Sequence, residues 1–521
     1  MEKYSLNVDS SITGGYFSSE QIDLLSIVRC QSPEELIDFI NNCIQINDIY
    51  ENTNIYAMIE DIGLEQAKRK VFKDYQDTMV LHDSGIVVVM INTFKHLGIK
   101  DEDIQTIIEK RSELSQSELT VWTKDFIINN YPDRSDEIFY AFQNYRSIER
   151  DQNKSDNQYE EITVLNNNLD NFDTMILGSG RIYNVLNFFY EEDEKQKRYC
   201  FDRIKKDLDF AYKNGKQVRY HSLLVQEGVD KLFEGKSSAQ IKEILKNYVN
   251  ESINFINEYN ATHKLSVNGR EVGVINSVVL FNEIVSFWKN SDGKYFNIWE
   301  GKYGITTKDI AEIFEYAREH KPEGVSFIYN EPFLEDDDRR QKVFEVLEEI
   351  DQYSPGLIDT LGSQMHITIT EDENKIERCF SDFKKLQEKT GKKIQITEFD
   401  MSLGRDQAYK VFKEKHNISL AEIYDYKSKK IQAISDIINN SGVHLDGISY
   451  WSITDGIDFN LELVRSKLLK EGKIESIKEI PTVCGGLYPT HKSLIKDQEL
   501  NQMLEDNQDN KIQTDSNPKT I

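Results

Sequence analysis

The sequence predicts a (β/α)8 TIM barrel preceded by a mostly α-helical N-terminal module. Three observations lead there. Apolar runs of strand length alternate with helix-length amphipathic segments from about Ile162 onward, whereas the first 150 residues carry helix signals. Two glutamates, Glu283 and Glu398, stand where apolar strands run out. Alternation of strand and helix implies a parallel sheet covered by helices. A chain of 521 residues also exceeds the ~250–300 residues of a single core, so a second unit is expected.

In residues 1–150, Ser32-Pro33-Glu34-Glu35 is a capping box with proline at the first helical position. Leu36, Phe39, Ile40, Cys43 and Ile44 follow at helical spacing, and Ile104, Ile107 and Ile108 repeat it. His82 and His96 have no evident partners and read as packing or surface residues. A polar stretch, 151–161, rich in Asn and Asp, reads as a linker. The barrel is expected over 162–498. Its strand-like runs are Thr174–Leu177, Gln217–Val225, Val272–Phe281, Gly324–Tyr329, Asp359–Ile367, Lys393–Met401 and Asp446–Ile453. An eighth is expected at Ile162–Leu165. Helix-like segments lie between them: Lys195–Asn214, Ser238–Tyr259, Thr307–His320, Arg339–Gln352, Asn374–Thr390 and Leu420–Ser441. Gly215, Gly391 and Gly442 fall just past three of these, where helices stop. The segment 499–521 reads as a disordered tail.

A formal net charge of −27 opposes binding to nucleic acid phosphates or anionic lipid, so neutral substrates are expected. The five cysteines are scattered without a close pair and suggest neither a disulfide framework nor a zinc site. No leader is visible at residues 1–20, and no apolar run approaches the ~20 residues that span a bilayer. A cytoplasmic location and no membrane partner are the expectation.

Side chains alternate along a strand, so Glu398 shares a face with Ile394 and Ile396, and Glu283 with Val279 and Phe281. A carboxylate in register with core residues is costly unless paired or used. On these residues alone a buried structural glutamate competes with a catalytic one. Other strand ends are polar too: Arg219 and His221 share a face, as do Gln364 and His366, and Trp451 and Asp455 end another strand. In a parallel barrel such ends converge on the active face, and paired carboxylates suit glycoside hydrolysis.

Six segments, in order, resemble glycoside hydrolase family 10, the barrel endoxylanases, over about residues 172–494. They are Phe210 to His221, Val279-Leu280-Phe281-Asn282-Glu283, Phe314 to Arg318 with Phe327-Ile328-Tyr329-Asn330-Glu331, Gly362-Ser363-Gln364-Met365-His366, Ile396-Thr397-Glu398-Phe399-Asp400, and Tyr450 to Asp455. The resemblance implies a retaining endo-β-1,4-xylanase-like hydrolase with Glu398 as nucleophile and Glu283 as acid/base. It implies that His221, Asn282, Gln364, His366 and Trp451 bind substrate, that Asp400 supports His366, and that no metal or organic cofactor is needed. The partner implied is an oligosaccharide or polysaccharide; the partner of the N-terminal module stays open.

The chain departs from the family at three places. The strand-two signature Glu-Asn-x-x-Lys is replaced by Leu177-Gly178-Ser179-Gly180-Arg181-Ile182-Tyr183, where Arg181 or Tyr183 are the available substitutes. After His221 an aromatic and a histidine are absent from Ser222-Leu223-Leu224-Val225-Gln226, and the second strand-eight tryptophan is Phe459. Two further readings therefore stand beside xylanase: a glycan-binding or scaffolding protein without turnover, and a β-glycosidase of different sugar specificity.

Overall fold

The computed structural model describes residues 13–17, 19–50, 52–82, 98–113, 116–132, 135, 159, 162–163, 165–178, 181–182, 199, 201–226, 229–369, 371–402 and 420–451. Apart from residue 159, the expected linker at 151–161 lies outside them, as do the tail at 499–521, His96, Tyr183, Asp455 and Phe459. The chain divides into two compact units, Met1–Ser19 with Asn168–Ile521, and Glu20–Asn167.

The first unit is built on eight strands: β1 (Thr13–Phe17), β2 (Thr174–Leu177), β3 (Gln217–Tyr220), β4 (Ile275–Asn282), β5 (Ser326–Glu331), β6 (Thr360–Ser363), β7 (Lys393–Ser402) and β8 (Leu445–Tyr450). Each pairs in parallel with the next, and β8 pairs in parallel with β1, so the sheet closes into a barrel. Strand β4 is apolar on both faces, as a sheet covered by helices favours. Its Val278, Val279, Leu280 and Phe281 are all fully buried.

The position of the eighth strand differs from the sequence expectation. At 162–165 the described residues are helical: Tyr159, Ile162, Leu165 and Leu169 are buried at helical spacing, and Thr163 Oγ1 donates back to Tyr159 O at 2.8 Å. The missing strand is β1, so residues 1–150 do supply barrel backbone. Thr13-Gly14-Gly15-Tyr16-Phe17 is too short and glycine-rich to display alternation. Only its pairing defines it, with Gly15 opposite both Tyr450 and Met175. The helical unit is thus inserted in the β1–β2 connection.

Between strands run the helices Asp202–Lys213, Ser238–Thr262, Thr307–Glu319, Asp337–Tyr353, Glu373–Thr390 and Leu420–Asn440. Thr307–Glu319 shows how the sequence makes one. Thr306 and Asp309 form a reciprocal capping box, and Ile310, Ile313, Phe314 and Ala317 bury one stripe. Three expected strands are interrupted. Val272 belongs to a hairpin, Lys264–Val267 with Arg270–Gly273, turned by Asn268 and Gly269 at φ 50° and 75°. The run Gln217–Val225 breaks after Tyr220, and Asp359–Ile367 breaks at Gln364 and Met365, the latter at φ 57°.

The second unit is helical, with Ser19–Arg29, Pro33–Asn42, Ile44–Tyr50, Ile55–Ile62, Leu64–His82, Asp101–Glu113 and Gln116–Asn130 among its described elements. Within it Tyr75 OH donates to Asp23 Oδ2 and Tyr50 OH to Asp74 Oδ2, both at 2.6 Å. Among the described residues no helix is long and apolar enough to cross a membrane.

Candidate active site

The carboxyl ends of β3 to β8 deliver one connected set of polar side chains. Gln364 Nε2, just past β6, donates to Glu283 Oε1 at 2.8 Å and lies 3.5 Å from Asn282 Oδ1. Asn330 Nδ2, on β5, donates to Asn282 Oδ1 at 2.8 Å and to Glu398 Oε1 at 2.6 Å. His366 bridges onward, with Nε2 3.1 Å from Glu398 Oε2 and Nδ1 3.0 Å from Asp400 Oδ2. The two glutamates are therefore joined through amides contributed by three different strand ends.

Backbone geometry makes this convergence possible. Glu283 leaves β4 at φ 62°, Phe333 follows β5 at φ 55°, and Met365 separates Gln364 from His366 at φ 57°. The left-handed region costs a non-glycine residue roughly 1–3 kcal/mol and collects at functional sites. Among the described glycines, Gly362 on β6 is the one whose side the site needs empty. A Cβ there would lie 2.5 Å from Asn330 Oδ1 and 2.8 Å from Thr397 Cγ2. Its absence lets Thr397 Oγ1 donate to Asn330 Oδ1 at 2.5 Å, which fixes the amide so that its nitrogen faces Glu398.

The electrostatics separate the two carboxylates. Burial raises Glu283, with Glu398 and Glu331 adding to it, and together they lift it to about 7 against the opposing Gln364 and Arg181. Burial also acts to raise Glu398, but His221, His366 and Arg219 outweigh it and bring Glu398 to about 2. Burial lowers His221 to about 3, so it is neutral at neutral pH. Asp400 and Glu398 overcome burial at His366 and hold it protonated, well above its ordinary value. The positive charge facing Glu398 at neutral pH is therefore carried by His366 and the buried Arg219 guanidinium.

All eight residues expected at the site, namely Glu283, Glu398, His221, Asn282, Gln364, His366, Trp451 and Asp400, lie within it. His221 Nε2 is 3.6 Å from Glu398 Oε1, and neither ring nitrogen has a hydrogen-bond partner. A buried imidazole left so is the kind of group that a ligand hydroxyl satisfies. Trp451 packs edge-to-face on both histidines, with ring centroids 5.4 Å from His221 and 5.8 Å from His366.

Sequence reasoning gave no role to Asn330, Thr397 or Arg219. Asn330 had a visible signal, since Asn330-Glu331 repeats at the end of β5 the Asn282-Glu283 pair that ends β4. The second glutamate of that repeat is structural: Glu331 Oε2 pairs with Arg339 Nη2 at 2.8 Å inside the fold. Arg219 crosses the barrel interior to Gln395, Ser449 and the Thr397 carbonyl. Arg181, beyond β2, acts electrostatically on both Glu283 and His221, which puts it beside the site. Among the described residues no cluster of His, Cys, Asp or Glu is arranged to hold a metal ion.

The sequence matches the model of glycosyl hydrolase family 10 over residues 184–466. It is 25% identical over 264 residues to endo-1,4-β-xylanase A of Thermotoga neapolitana, covering 50% of this chain and 22% of that one. It is 25% identical to a β-1,4-xylanase of Dictyoglomus thermophilum, covering 49% of this chain and 66% of the relative. The chain thus spans about a fifth of the length of the Thermotoga relative it matches. Among solved structures, the intracellular xylanase of Thermoanaerobacterium saccharolyticum is 18% identical, with a TM-score of 0.43 over 55% of this chain and 80% of that one. Xylanase 10C of Cellvibrio japonicus with xylopentaose is 18% identical, with a TM-score of 0.46 over 61% and 58% of the two chains. With the family model matched over more than half of its residues, this chain belongs to glycosyl hydrolase family 10.

Proposed function

We propose that the protein is a retaining endo-β-1,4-xylanase-like glycoside hydrolase acting on xylan-derived or related β-glycosides. The observation that carries this reading is the division of labour between the carboxylates: Glu398 ionised, with its value near 2, and Glu283 protonated up to about 7. A retaining displacement needs one of each.

Glu398 attacks the anomeric carbon as the bond to the leaving oxygen breaks, and Glu283 gives that oxygen its proton. The sugar is then held as an ester on Glu398. Glu283, now a carboxylate, takes a proton from water as the water oxygen attacks the same carbon, and Glu398 is released as a carboxylate. Asn282 spends its carbonyl oxygen on Asn330 and Gln364, while its Nδ2 has no protein partner among the described residues. In this reading that nitrogen would donate to a sugar 2-hydroxyl, a bond that strengthens as the oxocarbenium ion develops. His221 would bind a further hydroxyl, and Trp451 would offer a ring to the apolar sugar face.

One observation favours a β-glycosidase of narrower or different specificity. The polar strand-two group of the family is absent from 177–183, which leaves Arg181 as the described charged residue of that segment. Proton NMR during hydrolysis of an aryl β-xyloside and of xylo-oligosaccharides tests the proposal. The expected first product is the β-anomer. An α-anomer as first product, or no hydrolysis of xylosides alongside turnover of β-glucosides, would reject the mechanism or the sugar respectively.

A further inference from the structure

Arg219 is a buried cation whose hydrogen-bond partners among the described residues are all neutral. It sits on β3 and is 1% exposed. Its Nη1 donates to Gln395 Oε1 at 3.3 Å and to Ser449 Oγ at 3.2 Å, and its Nη2 donates to the Thr397 carbonyl. Its Nε has no hydrogen-bond partner among the described residues. The carboxylate whose charge acts on it is Glu398, and burial lowers the guanidinium only to about 10, so it stays protonated at neutral pH. A buried charge held by neutral groups is costly, and an apolar side chain of similar volume is often tolerated better in such a place. Stability is therefore a poor reason for a guanidinium here.

Its anchors give it another use. The Thr397 carbonyl belongs to the peptide bond that joins Thr397 to Glu398, so the guanidinium is fixed directly on the backbone that carries Glu398. The Thr397 side chain donates to Asn330 Oδ1, and Asn330 Nδ2 donates to Glu398 Oε1, so backbone and carboxylate are held together. Here β7 shifts register against β8, between Ile396 and Phe399, and such a shift re-aims side chains at a strand end. The titratable or charged groups that face Glu398 among the described residues are His221 and Arg219 from β3, Glu283 from β4 and His366 past β6. His221 is neutral, and His366 divides its charge between Glu398 and Asp400, 3.0 Å from its Nδ1. The charge of Arg219 is directed at Glu398.

We propose that Arg219 is a positioning residue whose buried charge, fixed on the Thr397–Glu398 peptide, holds Glu398 as a carboxylate and promotes its release in the second displacement. The inference rests on the reading of Glu398 as nucleophile. In that step the bond between the anomeric carbon and Glu398 breaks and its electron pair returns to the carboxylate. The water oxygen bonds to the carbon, and the water proton goes to Glu283. A fixed positive charge favours the returning carboxylate. In the first displacement the same charge stabilises the attacking carboxylate before reaction, so its removal harms the second step more than the first.

The test uses the full chain and a dinitrophenyl β-xylobioside, whose leaving group needs no proton, so that kcat reports the second displacement and kcat/KM the first. In Arg219→Met, kcat and KM should fall together by about tenfold, with kcat/KM at neutral pH within about threefold of the wild type and its acid limb raised by about one to two pH units. Arg219→Lys, which keeps the charge, should recover most of the kcat. A fall in kcat and kcat/KM together, at an unmoved acid limb, would make Arg219 merely structural and overturn the proposal. Arg219→Gln, which can still donate to the Thr397 carbonyl, takes the place of the methionine variant if near-UV circular dichroism shows that variant not to be natively packed. Loss of packing in both neutral variants would assign the charge to folding and also overturn the proposal. Thermal unfolding of the neutral variant, of Glu398→Gln and of the double variant keeps the result separate from the hydrolytic reading. The Tm change on Glu398→Gln should be more negative by about 2 °C in the wild-type chain than in the neutral variant. Additive changes would overturn the pairing. If the changes couple while the wild-type chain hydrolyses no xyloside, the hydrolytic reading fails and the pairing of Arg219 with Glu398 stands.

Discussion

Among the described residues Glu283 has a single amide donor against it, from Gln364 at 2.8 Å, whereas Glu398 has Asn330 at 2.6 Å and the protonated His366 at 3.1 Å. The proposed mechanism needs Glu398 ionised and Glu283 protonated, so the pH profile of kcat/KM follows from these neighbours. It should hold steady through mildly acidic pH and fall as pH rises through about 7, where Glu283 loses its proton. Removing the positive charge with His366→Asn should raise the Glu398 value and move the acid limb upward, leaving the alkaline limb in place. An acid limb that stays put would remove His366 from its assigned role. The same asymmetry predicts a stability effect. Because the folded-state value of Glu283 is raised, its contribution is lost as pH rises through that value. Glu283→Gln should therefore raise the melting temperature at pH 9 and change it little at pH 5, where the glutamate is already neutral. A Tm gain equal at both pH values would contradict the assigned protonation state.

At the scale of elements, the site depends on how closely β5, β6 and β7 approach. Gly362→Ala places a methyl group within 2.5 Å of Asn330 Oδ1 and 2.8 Å of Thr397 Cγ2, both buried. Overpacking of this kind costs about 1–3 kcal/mol. Thermal unfolding together with kcat should show a loss of both stability and turnover, because the displaced amide is the one that holds Glu398. Loss of neither would mean that the β6 approach is slack. The loop after β4 depends in the same way on the Glu331–Arg339 pair, where Arg339→Met leaves a buried carboxylate unpaired, a change that costs about 3–5 kcal/mol. Much of this architecture was legible in the sequence. Strands β2 to β8 were visible because buried parallel strands make long apolar runs, and the site residues because polar groups at their ends break those runs. Arg219 and Asn330 were visible as residues, but their roles depend on contacts across the barrel, from β3 to β7 and β8 and from β5 to β7, which spacing along one strand does not encode. The break at Met365 was hidden because methionine carries no turn signal, and its left-handed backbone is imposed by tertiary packing.

At the scale of the molecule, the barrel closes only through β1, a strand separated from β2 by the whole helical unit Glu20–Asn167. The sequence concealed it because five residues containing Gly14 and Gly15 show neither alternation nor an apolar run. A chain beginning at Asp151 would therefore lack one stave and expose the unpaired edges of β2 and β8, a template for aggregation. Near-UV circular dichroism and size-exclusion chromatography of that chain should show lost tertiary structure or aggregates. A monomeric, natively packed product would show that β1 is dispensable. The central claim, that Glu398 carries the sugar between two displacements, has a more direct test on the intact protein. Incubation with a 2-deoxy-2-fluoro-β-xylobioside bearing an activated leaving group should slow the second step and accumulate the ester. Mass spectrometry of the whole chain and of its peptides should then find one glycosyl unit, attached to Glu398. A label on Glu283 or Glu331, or steady turnover with the chain mass unchanged, would contradict the account.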